Sequence, residues 1–306
     1  MTPERFSIVT RDEVWSLDRR AALESRLLHG TAHQRGNAID ARDDCDDELR
    51  EACEAESDRV REALTHLPEG RARVVVSARR SGEAISLSAT ISITLVDLSI
   101  VTVAPHLASD YEMLVEVSSV RPEATADART LPVVWRHGAA AVLLHEAAGH
   151  AAEHGHAPLN WPEWLTTVDE SDDGSADLLA GEPPRAFRRQ SFSDVPLRRM
   201  TNVVAGNRFG EVALPPRRIE ILLVAGGRYE PLTELVTLSI SAADLVDGDR
   251  SVRLRPFSIT RSRSEVAASL RGAVGGVRRY PGVICSREGQ ELFVGSYAPD
   301  VLTEFR

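Results

Sequence analysis

Apolar and polar positions alternate most cleanly at Ile85, Leu87, Ala89, Ile91 and Ile93, within the run Ala84 to Ile93. A period of two puts every second side chain on one face, so this run predicts a strand in a sheet with one buried face. Arg73 to Ala78 predicts a neighbouring strand, with a turn at Ser81-Gly82 between the two. Upstream the period changes. Leu49, Cys53, Val60, Leu64 and Leu67 form a sparse helical stripe over Asp46 to His66, and Pro68-Glu69-Gly70 ends it. Residues 1–70 therefore predict a reduced, largely helical, acidic N-terminal segment, and residues 71–306 predict the main domain. Within that domain, Glu112 to Val117, Pro132 to Trp135, Ile219 to Val224, Val236 to Ile240, Val252 to Ile259 and Leu292 to Val294 are expected strands. Ser264 to Leu270 is an expected helix, and Pro158 to Trp164 and Asp169 to Ala180 hold turn residues and acids. The fold class that follows is α+β, with a large curved, mostly antiparallel sheet and a helix packed on it.

That helix carries the candidate chemistry. A continuous apolar lead-in, Ala139 to Leu144, runs into His145-Glu146-Ala147-Ala148-Gly149-His150, and the helix is expected from about Gly138 to Gly155. Neutral imidazole is a common metal ligand, and a carboxylate beside a metal can take a proton from water. The familiar metalloprotease spacing puts two histidines at i and i+4. Here they stand at i and i+5, which on a regular helix turns the second side chain about 140° away from the first. A single ion is within reach of both only if the helix widens into a π turn or breaks between them. Gly149 lies where such a distortion meets least steric resistance. A different pair, His150 and His154, has the i, i+4 spacing and could bind metal adventitiously or face solvent.

Composition narrows the alternatives. The chain has 306 residues, enough for one large domain or two modest ones, and 42% are hydrophobic. No apolar run is long enough to span a bilayer, and the start Met1-Thr2-Pro3-Glu4-Arg5-Phe6 lacks a signal-peptide core. A cytoplasmic protein without membrane partners is the expectation. Three cysteines, Cys45, Cys53 and Cys285, make no disulfide framework. All 36 basic residues are arginine, which removes every mechanism that needs a lysine. The net charge is −10, and Asp40 to Glu62 alone holds eleven acids against four arginines. That balance argues against binding to a nucleic-acid backbone.

Four patches, in order, carry a resemblance. Leu131 to Val134 with Gly138 to His150 is similar to the metal-binding region of the TldD/PmbA (TldD/TldE) metallopeptidase family. Arg188-Arg189-Gln190-Ser191-Phe192 followed by Pro196 to Asn202 resembles its basic-aromatic segment ending in Arg-Met-Thr-Asn. Arg217 to Val224 with Gly226-Gly227 resembles the strand and turn that follow, and Val283 to Gln290 resembles the patch bearing a third metal ligand. The resemblance spans roughly residues 70 to 306, the family's catalytic half, and the chain looks like the TldD type with a shortened N-terminal region.

The resemblance implies zinc held by His145, His150 and Cys285, with Glu146 as general base. A His₂Cys set leaves one tetrahedral position open, as catalytic zinc sites require. It also implies hydrolysis of an amide bond in a peptide or small amide substrate, and a homodimer or a heterodimer with a TldE-like subunit. Arg199 and Asn202 are the candidate substrate-binding residues, because arginine forks suit carboxylates. For Arg188 and Arg189, pairing with nearby acids is the simpler expectation. Trp161 and Trp164 are expected either to line a pocket or to pack on the sheet. Two other readings stand beside hydrolysis of peptides: a zinc enzyme acting on a small metabolite, and a non-catalytic TldE-like partner.

Overall fold

The structure, a computed structural model, describes residues 4–16, 21–35, 38–42, 47–65, 70–81, 84–95, 98–103, 113, 116–117, 120–127, 130–189, 195–208 and 211–305. They fall into two compact units, Met1–Ser119 with Gln190–Val195, and Val120–Arg189 with Pro196–Arg306.

The first unit is built on strands β1 (Glu4–Ser16), β2 (Ala21–Arg35), β3 (Ala38–Arg42), β4 (Gly70–Ser81), β5 (Ala84–Leu95) and β6 (Leu98–Val103), with helix α1 (Asp47–Leu64) between β3 and β4. They form an antiparallel sheet in the order β3-β2-β1-β4-β5-β6. The β4–β5 pairing runs from Gly70↔Leu95 to Ser81↔Ala84, as the alternating pattern predicts. Ala89, Ile91 and Ile93 are buried, as are Leu49, Cys53, Val60 and Leu64 on α1, and the helix packs on β4.

The expected helical character of residues 1–70 does not hold. Before Asp47 the described residues are strands, and β1 pairs with both β2 and β4. The boundary accordingly lies near residue 119 instead of 70, because β4, β5 and β6 complete the sheet that β1 begins. Alternation in β1 is interrupted by charges such as Arg11, Asp12 and Glu13, of which Arg11 pairs with Glu13 and Asp12 with Arg73 on β4, so the strand carried no clean hydrophobic signature. Of the strand expected over Glu112 to Val117, the described residues Met113, Glu116 and Val117 are helical. Cys45, Leu67 and the turn at Gly82 lie outside the described residues.

The second unit holds β7 (Val133–Trp135), β8 (Leu165–Ser171), β9 (Gly174–Asp177), β10 (Phe187–Arg188), β11 (Leu197–Arg198), β12 (Asn202–Asn207), β13 (Arg217–Glu230), β14 (Leu235–Asp247), β15 (Arg250–Arg253), β16 (Phe257–Ser262), β17 (Leu270–Arg287) and β18 (Gln290–Thr303). Among the described residues β10 and β11 form a small ribbon, and the rest form one large sheet in the order β15-β14-β13-β7-β18-β12-β8-β9, with β16 also on β14 and β17 also on β18. Most pairs are antiparallel; β7 runs parallel to β13 and β12 parallel to β18. The α+β class and the large sheet stand as expected, but the sheet is mixed and lacks strong curvature. Its strand path is open at both ends, so no closure forces it to bend.

Residues 140–153 form helix α2, which packs on β12, β13 and β18. Its first half is apolar all round, and Ala140, Ala141, Val142, Leu143 and Leu144 are all buried. A helix buried on every side is what such a sequence requires. Helix α3 (Arg263–Ser269) follows β16 and begins at a capping box between Ser262 and Glu265. The region expected to be turns before the arginine patch supplies β8 and β9, whose Thr167 and Asp169 are buried.

Candidate metal centre

The i, i+5 spacing has the local consequence that the geometry of a helix demands. Ala140–Leu144 and His150–Glu153 are α-helical, and His145–Gly149 between them is a π turn. The His150 backbone N–H donates to the His145 carbonyl, closing the five-residue step. The two imidazoles thereby come onto one side, with ring centres 4.8 Å apart and planes perpendicular. A Cβ at Gly149 would overlap the Met200 sulfur, so glycine also lets α2 approach the chain just before β12.

Cys285, on β17, completes the cluster from 135 residues away. Its sulfur lies 3.3 Å from His150 Nε2, and one ligand atom from each of His145, His150 and Cys285 falls within a 4.8 Å span. Among the described residues this is the one group with metal-ligand geometry. The surroundings fit an ion. His145 has no exposed surface, and neither of its ring nitrogens has a hydrogen-bond partner among the described residues. A buried imidazole left so costs free energy unless something occupies a lone pair. Burial, then the neighbouring His150 and Arg199, lowers the His145 pKa well below its ordinary value, so the ring stays neutral, the form that ligates.

His150 is held from behind. Glu153, one turn further along α2 with its side chain fully buried, accepts from His150 Nδ1 at 2.9 Å. That bond fixes the tautomer and turns Nε2 toward Cys285. The other Glu153 oxygen accepts from the Met200 backbone N–H at 3.1 Å, and Arg287 donates to the shared oxygen at 3.2 Å. Burial works to raise the Glu153 carboxyl, but His150, Met200 and Arg199 outweigh it and hold the group ionised.

Glu146 lies beside the ligands. Its Oε2 is 3.8 Å from His150 Nε2 and has no hydrogen-bond partner among the described residues, and only 3% of the residue is exposed. The Tyr229 backbone N–H donates to its carboxylate. Gly227, two residues earlier on β13, makes room: a Cβ there would stand 2.5 Å from Glu146 Cγ and Oε1. Burial pushes the Glu146 pKa up to about 7, against the pull of His150. A carboxyl near neutrality can both take and return a proton.

A solved structure shares this architecture. The alignment with TldE from Thermococcus kodakarensis has a TM-score of 0.51 at 11% identity, covering 99% of this chain and 97% of that one. The chain has the TldE fold. A protein from Bacteroides thetaiotaomicron described as a candidate modulator of DNA gyrase aligns with a TM-score of 0.44 at 12% identity, covering 99% of this chain and 94% of that one. At the level of sequence, neither a family profile nor a curated protein matches the chain. Within the TldE fold, the π turn and β17 bring His145, His150, Cys285 and Glu146 together.

The two substrate-binding candidates, Arg199 and Asn202, both bond to backbone carbonyls. Arg199 is wholly buried, donates to the Cys285 carbonyl at 2.7 Å and stands 3.8 Å from Glu153. With its guanidinium on the Cys285 backbone, it supports the strand that carries that residue. Asn202 donates its side-chain amide to the Glu170 carbonyl at 3.0 Å, tying β12 to β8. Arg188 likewise spans the Met200 and Phe293 carbonyls, at 2.6 and 2.7 Å, in place of the expected acids. His154 is exposed and its ring faces His156 and Tyr229, so the i, i+4 pair does not form a site. Trp161 packs against the cluster of Ala148, Ala152, Leu178, Met200 and Cys285. Glu153 carried a signal that the spacing offered: three residues after His150, it shares that helical face.

Proposed function

We propose that the chain is a TldD-type, zinc-dependent hydrolase that cleaves an amide bond in a peptide or peptide-like substrate. The observation that carries this reading is the convergence of His145, His150 and Cys285 on one point with the unpartnered carboxylate oxygen of Glu146 beside it. Two imidazole nitrogens and a cysteine sulfur are a donor set that suits zinc, and three protein ligands leave a coordination position for chemistry. A bound zinc ion would supply Lewis acidity, making a water more acidic and a scissile carbonyl more electrophilic.

The chain's own residues would do the rest. Glu146, with its pKa raised to about 7, accepts the proton of the attacking water and later delivers it to the leaving amine. The Tyr229 N–H and the space over Gly227 keep the carboxylate in place between those transfers. Glu153 keeps His150 Nε2 directed at the site, and Arg199 holds the Cys285 backbone.

Retention of Glu146 favours catalysis over a purely structural TldE-like role, since packing alone does not call for a buried carboxylate with a free oxygen. The test is zinc per chain in wild type, His150→Ala and Cys285→Ala, followed by a screen of peptides and small amides with Glu146→Gln as control. About one zinc, absent from both ligand variants, with amide cleavage lost in Glu146→Gln, is the expected result. Zinc that survives both substitutions, or none in the wild type, removes the metallohydrolase reading. Cleavage confined to small amides would redirect it to a metabolite enzyme.

A further inference from the structure

A π turn is less favourable than the α-helix on either side of it, and this one must keep its width for two imidazoles to meet one ion. We infer that Arg263 is a positioning residue of the metal centre, a buried brace that holds the π turn of α2 at that width. This inference rests on the metal reading of His145, His150 and Cys285.

Arg263 is the first residue of α3, and its side chain is only 1% exposed. Its Nε donates to the carbonyl of Ala147, the central residue of the π turn, at 2.9 Å. Its Nη1 donates to the carbonyl of Ala157, just past the end of α2, at 2.8 Å. One planar, rigid group thus connects the middle of the turn to the chain beyond the helix and fixes the ligand-bearing segment at two points. The carbonyl-rich end of a helix is also where a cation is electrostatically welcome.

The site is costly for a guanidinium. Its carboxylate partner, Glu234, is 3.4 Å away and 44% exposed, and Nη2 has no hydrogen-bond partner among the described residues. Packing alone would be met by an apolar side chain at lower desolvation cost, so the two carbonyl contacts are what distinguish arginine here.

The brace is itself anchored. The Ser262–Glu265 capping box fixes the start of α3, and the Arg263 backbone N–H donates to the Glu234 carbonyl at 2.8 Å. Glu234 lies in the turn joining β13 to β14, and β13 also provides Gly227 and the Tyr229 N–H around Glu146. The same hairpin therefore sets both the general base and, through Arg263, the turn that spaces the ligands.

Arg263→Lys tests this, because lysine keeps the charge and the stem but cannot bridge both carbonyls. Two measurements are made: amide hydrogen exchange across α2 in metal-free protein, and Co²⁺ affinity with its visible absorption spectrum. The expected result is exchange at residues 149–152 at least about 10-fold faster, with β13 and β18 unchanged. Co²⁺ affinity is expected to fall about 10- to 100-fold, as when other supports of metal ligands are removed, with an altered visible spectrum. Glu234→Gln, which leaves both carbonyl contacts possible, is expected to match wild type in both measurements. Wild-type exchange and spectrum in Arg263→Lys would overturn the brace; so would equal losses in Glu234→Gln, which would assign the effect to charge balance. A wild type that binds no Co²⁺ would remove the metal reading, while the exchange data still decide whether Arg263 holds the turn.

Discussion

Glu153 decides which nitrogen His150 presents. With Nδ1–H given to the carboxylate, Nε2 is the atom that faces Cys285 and Glu146. Glu153→Gln retains one acceptor but turns an amide toward a neighbouring donor among His150, Met200 and Arg287. Zinc affinity in a competition titration should fall about 10- to 100-fold, without loss of fold. Gly227→Ala separates binding from chemistry. The new Cβ must push the Glu146 carboxylate aside, while His145, His150 and Cys285 are untouched. Zinc content should stay at wild type, and amide cleavage should drop about 100-fold, the typical cost of displacing a reacting group by about 1 Å. At this scale the sequence was legible where chemistry restricts residue type. Histidine, glutamate and cysteine in family-like order pointed to one site, and the i, i+5 spacing called for either a π turn or a break, of which the structure has the π turn. It was not legible for Arg199 and Asn202. An arginine reads the same whether its fork reaches a ligand or a buried backbone carbonyl, and only the tertiary path of β17 shows that Arg199 reaches Cys285.

Among the elements, those with a strong period were readable: β4 and β5 from alternation, α1 from its sparse stripe, α2 from its apolar lead-in. β1 was not, because its charges are absorbed in the fold. Glu13 is 2% exposed and gathers Arg11 at 2.7 Å, Trp15 at 3.0 Å, Ser25 at 3.2 Å and Arg61 at 3.2 Å, joining β1, β2 and α1. Burial works to raise the Glu13 carboxyl, and the hydrogen bonds from Arg11, Trp15 and Arg61 outweigh it, holding the group below its ordinary 4.5. The folded state therefore binds this proton less tightly than the unfolded chain. Its contribution is complete above about pH 4.5 and is lost as pH falls through the folded value. Glu13→Ala should destabilise the first unit by roughly 2–4 kcal/mol, less than a wholly buried pair would cost because Arg11 and Arg61 are 23% and 33% exposed. Denaturation followed on the first unit should show wild type losing stability on acidification below pH 4.5 while the variant loses less. Equal acid sensitivity of the two would refute the assignment.

For the whole molecule, the proposed metal site has the consequence of a cross-link made by an ion. His145 and His150 come from α2 and Cys285 from β17, so a metal held by all three would tie two parts of the second unit that lie 135 residues apart in sequence. All three of these residues belong to the second unit. An ion that binds only the folded state stabilises it by about 4 kcal/mol when its free concentration is about 1,000 times Kd. For a unit of this size each kcal/mol moves the midpoint by roughly 2–4 °C. Of the four tryptophans, Trp135, Trp161 and Trp164 lie in the second unit and Trp15 in the first, so a Trp15→Phe background makes fluorescence report the second unit alone. In that background, chelation should lower the thermal midpoint by roughly 8–16 °C. Added zinc should restore it, and Cys285→Ala should respond to neither. The first unit, followed through amide exchange in β1 and β4, should be unaffected by the chelator. A fall of equal size in both units would mean that the stabilisation is not confined to the unit that holds the three ligands. An unchanged midpoint would mean that the three side chains converge without holding an ion.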